Sequence, residues 1–215
     1  MADTFLSSDV QEAKRVATLE VDNLVDLMGN VDPSEEVEGE TPAERKQSYA
    51  DKMLGLAIES FPTTRLLHKW TNDAEVNTDD FTRFNHDNPD FEFRNSTVRK
   101  YLRTNPQALT NVSDPDTFIP QLKGMSRLFS LVPENDNFEA VRTLWRSDIP
   151  NSAFGITRLS ESAFVRKFEG TLTATQAKTI YASARHKTTV TIATLMRYSP
   201  PEDDPTWSLP FDHGP

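Results

Sequence analysis

The chain has 215 residues, no cysteine and a net charge of −10. Disulfides, thiolate catalysis and cysteine-containing zinc sites are thereby excluded, and no apolar run approaches the roughly 18–20 residues a membrane-spanning helix needs. At 36% apolar and 26% charged residues, with 14 prolines, the sequence predicts modest cores and long polar connections.

Residues 8–28 carry Val16, Leu19, Leu24, Leu27 and Met28 at roughly helical spacing. They predict one N-terminal helix within residues 1–30, capped by Ser8 or Asp9 and stopped by Gly29 and Asn30. Residues 31–42, VDPSEEVEGETP, are acidic and broken by prolines and a glycine, so they predict a linker. Thr41, Pro42 and Glu44 then supply a cap, a proline at the first helical position and a reciprocal acid. The helix they open is expected to bury Tyr49, Met53, Leu56 and Ile58. Phe61-Pro62-Thr63 ends it, because a residue before proline is driven out of helical geometry. A short helix with Leu66, Leu67 and Trp70 follows.

Phe81, Phe84, Phe91 and Phe93 stand among polar residues, and Asn88-Pro89-Asp90 predicts a turn. These aromatics are expected to fill the space between short helices, with a peptide groove as the other reading. A short helix capped by Ser96 comes next. A helix of about a dozen residues then starts near Ile119 or Pro120, buries Leu122, Met125, Leu128 and Phe129 at i, i+3, i+6 and i+7, and ends at Pro133. Another follows in FEAVRTLWRSDI. In LSESAFVRKF, Ser160 is the cap, and Ala163, Phe164 and Phe168 point inward. The longest helix is expected over residues 173–198. Its centre, TTVTIAT, has strand propensity, but Ala177, Ile180 and Ala184 keep helical spacing. Phe164 and Phe168 should share a buried face with Ile180 and Ala184. The segment PPEDDPTWSLPFDHGP, residues 200–215, reads as a linker or an arm laid on another surface, with Trp207 and Phe211 as candidate interaction anchors. The fold class is all-α, an irregular set of short and medium helices with proline-rich connections, and residues 43–199 form its main domain.

Chemistry is sparse. None of His68, His86, His186 and His213 is paired with another at metal-ligand spacing. His86 and Asp87, with Asp90 and Glu92 near, offer carboxylates to a cation without the length or ligand order of a calcium loop. His68 reads as a half-buried histidine beside Leu66, Leu67 and Trp70, and His186 as a surface residue. Glu35, Glu36, Glu38 and Glu40 lie in the linker, which cannot tune a general acid. There is no G-x-S-x-G elbow, dinucleotide fingerprint or phosphate-binding lysine loop. The expectation is a chain that is not an enzyme and holds no cofactor or metal. Charge is uneven: residues 1–60 hold fourteen acids and five bases, residues 120–199 six acids and eleven bases, and residues 200–215 four acids with no Lys or Arg. The spread of the bases over several helices, with no recognised motif, argues against nucleic acid.

Four phrases recur in order over residues 55–198. Asn88, Pro89, Phe91, Phe93 and Arg94 form the first. Leu122, Arg127, Leu128, Leu131 and Pro133 form the second. Ser152, Ala153, Ile156, Leu159, Phe164 and Phe168 form the third, and Ala177, Ile180 and Ala184 the fourth. This order resembles a segment of the large A subunits of insecticidal toxin complexes and the related neuraminidase-like-domain proteins. The resemblance implies a place in the α-helical shell of a pentameric assembly, outside its channel. It implies family-like packing roles for Phe91, Phe93, Leu128, Phe164, Phe168 and Ile180, and no catalytic residue. Ile149-Pro150-Asn151 departs from the glycine usual in relatives before the Ser-Ala pair, and the chain is far shorter than a full subunit.

The leading expectation is therefore a non-catalytic structural module of a toxin-complex-like protein, contributing to assembly or shell architecture. The alternative is an adaptor that engages a protein partner through its tail or acidic segment. Partners are other proteins, neighbouring domains or further copies of the chain, without nucleic acid and without membrane insertion. The start, MADTFLSSDVQEAKR, lacks the basic and then apolar pattern of a secretory signal peptide, so export would use another route, and the other location is the cytoplasm.

Overall fold

The computed structural model describes residues 2–31, 33–34, 37–71, 79–133 and 137–198. Its elements are α1 (Ala2–Thr18), α2 (Val21–Met28), α3 (Pro42–Ser60), α4 (Pro62–Thr71), α5 (Asp79–Asp87) and α6 (Val98–Thr104). A 3-10 turn, Pro106–Leu109, leads to α7 (Pro115–Phe129), α8 (Asn137–Trp145), α9 (Ala153–Thr157), α10 (Glu161–Lys167) and α11 (Ala174–Tyr198). Among the described residues there is no strand, only an isolated bridge between Glu169 and Leu172. The all-α class is as expected.

The single N-terminal helix is corrected to two. Ser8 and Asp9 lie inside α1 rather than capping it, and the chain turns extended at Glu20. The cause lies far along the sequence. The Arg65 guanidinium donates to the carbonyl of Leu19 at 2.7 Å and of Ala17 at 3.4 Å, and pairs with the Glu20 carboxylate at 3.0 Å. It satisfies carbonyls that a helix end leaves open. Gly29, at φ 54°, closes α2 as expected.

Helix α3 opens with the capping box: Thr41 Oγ1 accepts from Glu44 N, and the Glu44 carboxylate accepts from Thr41 N at 3.1 Å. Its buried face is a correction. Ala50, Leu54 and Ala57 are buried, while Tyr49, Met53 and Leu56 are exposed and Ile58 is half-buried. The two stripes are one residue out of phase, about 100° apart around the helix. The small residues win because they admit close approach of α1, where Ala17 is also fully buried. Phe61 breaks the chain before Pro62 as expected.

Leu66, Leu67 and Trp70 of α4 enter a core built on aromatics. Phe81 and Phe118 meet edge to face at 4.9 Å, Phe84 and Phe91 at 5.1 Å, and Phe91 and Tyr101 at 4.7 Å. Edge-to-face pairs match the positive ring edge to the negative ring face. The four phenylalanines therefore serve packing, with Phe93 on the core's margin 5.4 Å from Phe129.

Two helix starts differ from expectation. Thr97, rather than Ser96, caps α6 by accepting from Lys100 N. Helix α7 begins at Pro115, not near Ile119, because Asp114 caps it through Thr117 N at 3.1 Å. Pro120 sits inside the helix with its side chain exposed. Leu122, Met125, Leu128 and Phe129 are buried as expected, and the helix closes at Ser130. Gly124 lets Trp145 of α8 approach: a Cβ there would lie 3.1 Å from the indole.

Candidate interaction surface

The C-terminal helices build one continuous corner. Ser152 caps α9 through Gly155 N at 3.0 Å, and Ser160 caps α10 through Ala163 N at 3.3 Å. Gly155 is fixed sterically, since a Cβ would collide with the Pro150 carbonyl. The Ile149-Pro150-Asn151 stretch is thus the wall against which α9 packs. Thr173 and Gln176 exchange backbone-to-side-chain hydrogen bonds at 2.8 and 3.1 Å and start α11.

The first half of α11 is held firmly. Ala177, Ile180, Tyr181 and Ala184 are buried. Phe164 lies 4.8 Å from Phe168 and 5.9 Å from Tyr181, ring to ring. The Tyr181 hydroxyl donates to the Leu159 carbonyl at 2.9 Å. Phe91, Leu128, Phe164, Phe168 and Ile180 are all buried and Phe93 is partly so.

The second half of α11 leaves this corner. Across it the hydroxyls of Thr188 and Thr157 lie 3.4 Å apart. From Thr189 to Tyr198 every residue is exposed, including Val190, Ile192, Met196 and Tyr198. Met196 is 73% and Tyr198 79% exposed, values far from those of a core side chain. At about 100° per residue, Ile192 and Met196 fall on one side, Val190 on the opposite side and Tyr198 on a third. Apolar residues on several sides, with Thr189, Thr191 and Thr194 between them, leave more than one side open to contact with other helices. Phe154 of α9 is exposed beside it. The sequence held this signal, since no acid occurs in α11 and apolar residues persist to its end, but helical spacing alone does not separate a core face from an open one.

Helix α11 also carries Lys178, Arg185, Lys187 and Arg197. Desolvation by its neighbours pushes the Lys187 ammonium below its ordinary range. Between α10 and α11 lies a groove of ≈ 700 Å³, with Val165, Leu172 and Ala174 as its apolar floor and Arg166 and Lys178 at its edge. Trp207 and Phe211 lie outside the described residues, as does His213.

The acidic turn after α5 resolves differently. The His86 Nδ1 lies 2.9 Å from the Asp87 carboxylate, Asp90 accepts from the Tyr101 hydroxyl at 2.8 Å, and Glu92 turns inward. Each acid has its own partner, and among the described residues no three His, Asp or Glu converge on a point. Burial, then the Asp90 hydrogen bond, pushes the Tyr101 hydroxyl well above the ordinary phenol range. The Glu92 carboxylate accepts from Thr63 N at 3.1 Å and the Thr64 hydroxyl at 3.1 Å, with the Lys14 ammonium at 3.6 Å. This buried ion pair ties α1 and α4 to the turn. Sequence reasoning missed it, because one acid among many carries no mark of burial.

His186 is exposed and His68 half-buried, as expected. Burial, then the Arg65 charge, holds His68 below its ordinary value of 6.5. The unfolded chain therefore binds a proton at His68 more readily than the folded chain, and stability falls as pH drops through about 6.5. The melting temperature is expected to decline between about pH 7 and 5, with a shallower decline in His68→Gln. An unchanged slope in that variant would assign the decline to other groups.

No protein-family model matches the chain, and no characterised protein or solved structure is detectably similar to it. Among the described residues no helix is long and apolar enough to cross a membrane.

Proposed function

We propose that the chain is a non-catalytic helical structural module that contributes to an assembly by burying the distal half of α11 between neighbouring helices of further copies. One observation carries this reading: Val190, Ile192, Met196 and Tyr198 are exposed on three sides of a helix whose first half is locked in the core. Burial of apolar surface is worth about 25 cal/mol per Å², so four such side chains offer several kcal/mol to an interface. The order of phrases that resembles a toxin-complex shell segment supports the same role, since a shell is made of packed helices.

Sedimentation tests it. The parent chain is expected to form species heavier than 24.3 kDa as concentration rises. The double variant Ile192→Glu, Met196→Glu should stay monomeric with an unchanged helical spectrum, because both positions are exposed in the folded chain. A parent that stays monomeric up to about 1 mM, where even −4 kcal/mol would register, overturns the self-assembly.

A further inference from the structure

The groove between α10 and α11 has a floor, an edge and a nearby cationic face, but no occupant among the described residues. Its floor is Val165, Leu172 and Ala174. Lys178 lies at its edge, and Arg185, seven residues on, shares that side of α11 at about 100° per residue. Lys187, nine residues from Lys178, falls on the opposite side of the helix. None of Lys178, Arg185 and Lys187 forms an ion pair with a described residue, and α11 contains no acid to pair with them.

The chain itself supplies the complement. After α11 and Ser199 come Pro200-Pro201, then Glu202, Asp203 and Asp204, then Trp207 and Phe211, with no Lys or Arg. Reach decides whether these can meet. From Tyr198 back to Lys178 is twenty residues of helix, about 30 Å at 1.5 Å per residue. From Tyr198 to Trp207 is nine residues, about 30 Å at 3.3 Å per extended residue, and Phe211 reaches about 43 Å. The two aromatics therefore bracket the distance to the groove. On the same path the three acids pass Arg185. Proline also lowers the entropy that an extended segment loses on docking.

We propose that the acidic, aromatic segment 202–211 folds back along α11 of its own chain, its acids on Arg185 and an indole or phenyl ring in the α10–α11 groove. Ile192 and Met196 share that side of α11, so the folded-back segment and a second copy compete for the same stripe, and whether the cross-link forms within or between chains separates the two occupants. The rim also carries Glu161 and Glu169, so the acids of the segment are placed further along the helix and the uncharged rings in the groove.

The absence of native cysteine allows a clean cross-linking test in the full chain. Ser162 lines the groove and Ser208 follows Trp207. The pair Ser162→Cys, Ser208→Cys should form an intramolecular disulfide roughly tenfold faster than a control pair with Ser48→Cys in place of Ser162→Cys, as a raised effective concentration requires. Adding Trp207→Ala and Phe211→Ala, or Arg185→Glu, should slow it about tenfold, the effect of losing one interface anchor. Disulfides formed mainly between two chains would transfer the site to a second copy and overturn the in-chain docking. A rate equal to the control, or one indifferent to the aromatic and Arg185 substitutions, overturns the docking altogether. Because Ser162 is exposed, circular dichroism of the variants should match the parent.

Discussion

Phe168→Ala is expected to melt about 6–20 °C below the parent, the equivalent of 3–5 kcal/mol for a chain of this size. The ring is buried and lies tilted against Phe164, 4.8 Å from centroid to centroid. Its removal takes away apolar contact and leaves a cavity, because the capped ends of α10 and α11 restrain collapse into the space. Phe154→Ala on neighbouring α9 is the matched control, since that ring is 64% exposed and should change the melting point by little. Equal melting of Phe168→Ala and the parent would contradict the packing of α10 on α11.

Glu92→Gln should be comparably damaging, at about 3–5 kcal/mol, for a different physical reason. Lys14 and Glu92 are only 8% and 5% exposed. With the carboxylate gone, the Lys14 ammonium is left buried beside the Phe61 ring, 5.3 Å from its centroid, with no countercharge. An amide keeps only one oxygen for Thr63 N–H and the Thr64 hydroxyl, which now donate to the two oxygens of one carboxylate. In a Lys14→Met background the same substitution should cost less, by about 0.5–3 kcal/mol, because no buried charge is orphaned. Chemical denaturation of the four chains measures that coupling. Strict additivity would mean that the pair is not an interacting unit.

These two sites also mark where the sequence was legible and where it was not. Phe164, Phe168, Ile180 and Ala184 announced themselves by local spacing, and their helices by local caps at Ser160 and Thr41. Such signals lie within one or two turns of chain, so they survive without knowledge of the tertiary fold. Helix α11 stayed helical through TTVTIAT because its neighbours on both sides hold the period. The break between α1 and α2 was not legible, since it depends on a guanidinium 46 residues away from the carbonyl it binds. Nor was the buried face of α3, where two apolar stripes compete and the choice is made by what α1 can approach. Glu92 looked like a surface acid for the same reason: its burial is a property of the assembled α1, α4 and turn. In sequence the distal half of α11 is simply the end of a long helix; its exposure depends on the position of the body it leaves.

The claim that this exposed half is an assembly surface meets its most direct test in hydrogen–deuterium exchange read at two protein concentrations. The account predicts that backbone amides of residues 189–198 exchange quickly in dilute protein and become protected at high concentration, while those near Ala177 and Ala184 are slow in both. Exchange over residues 189–198 that is equally fast at the two concentrations, with the chain monomeric throughout, would contradict it.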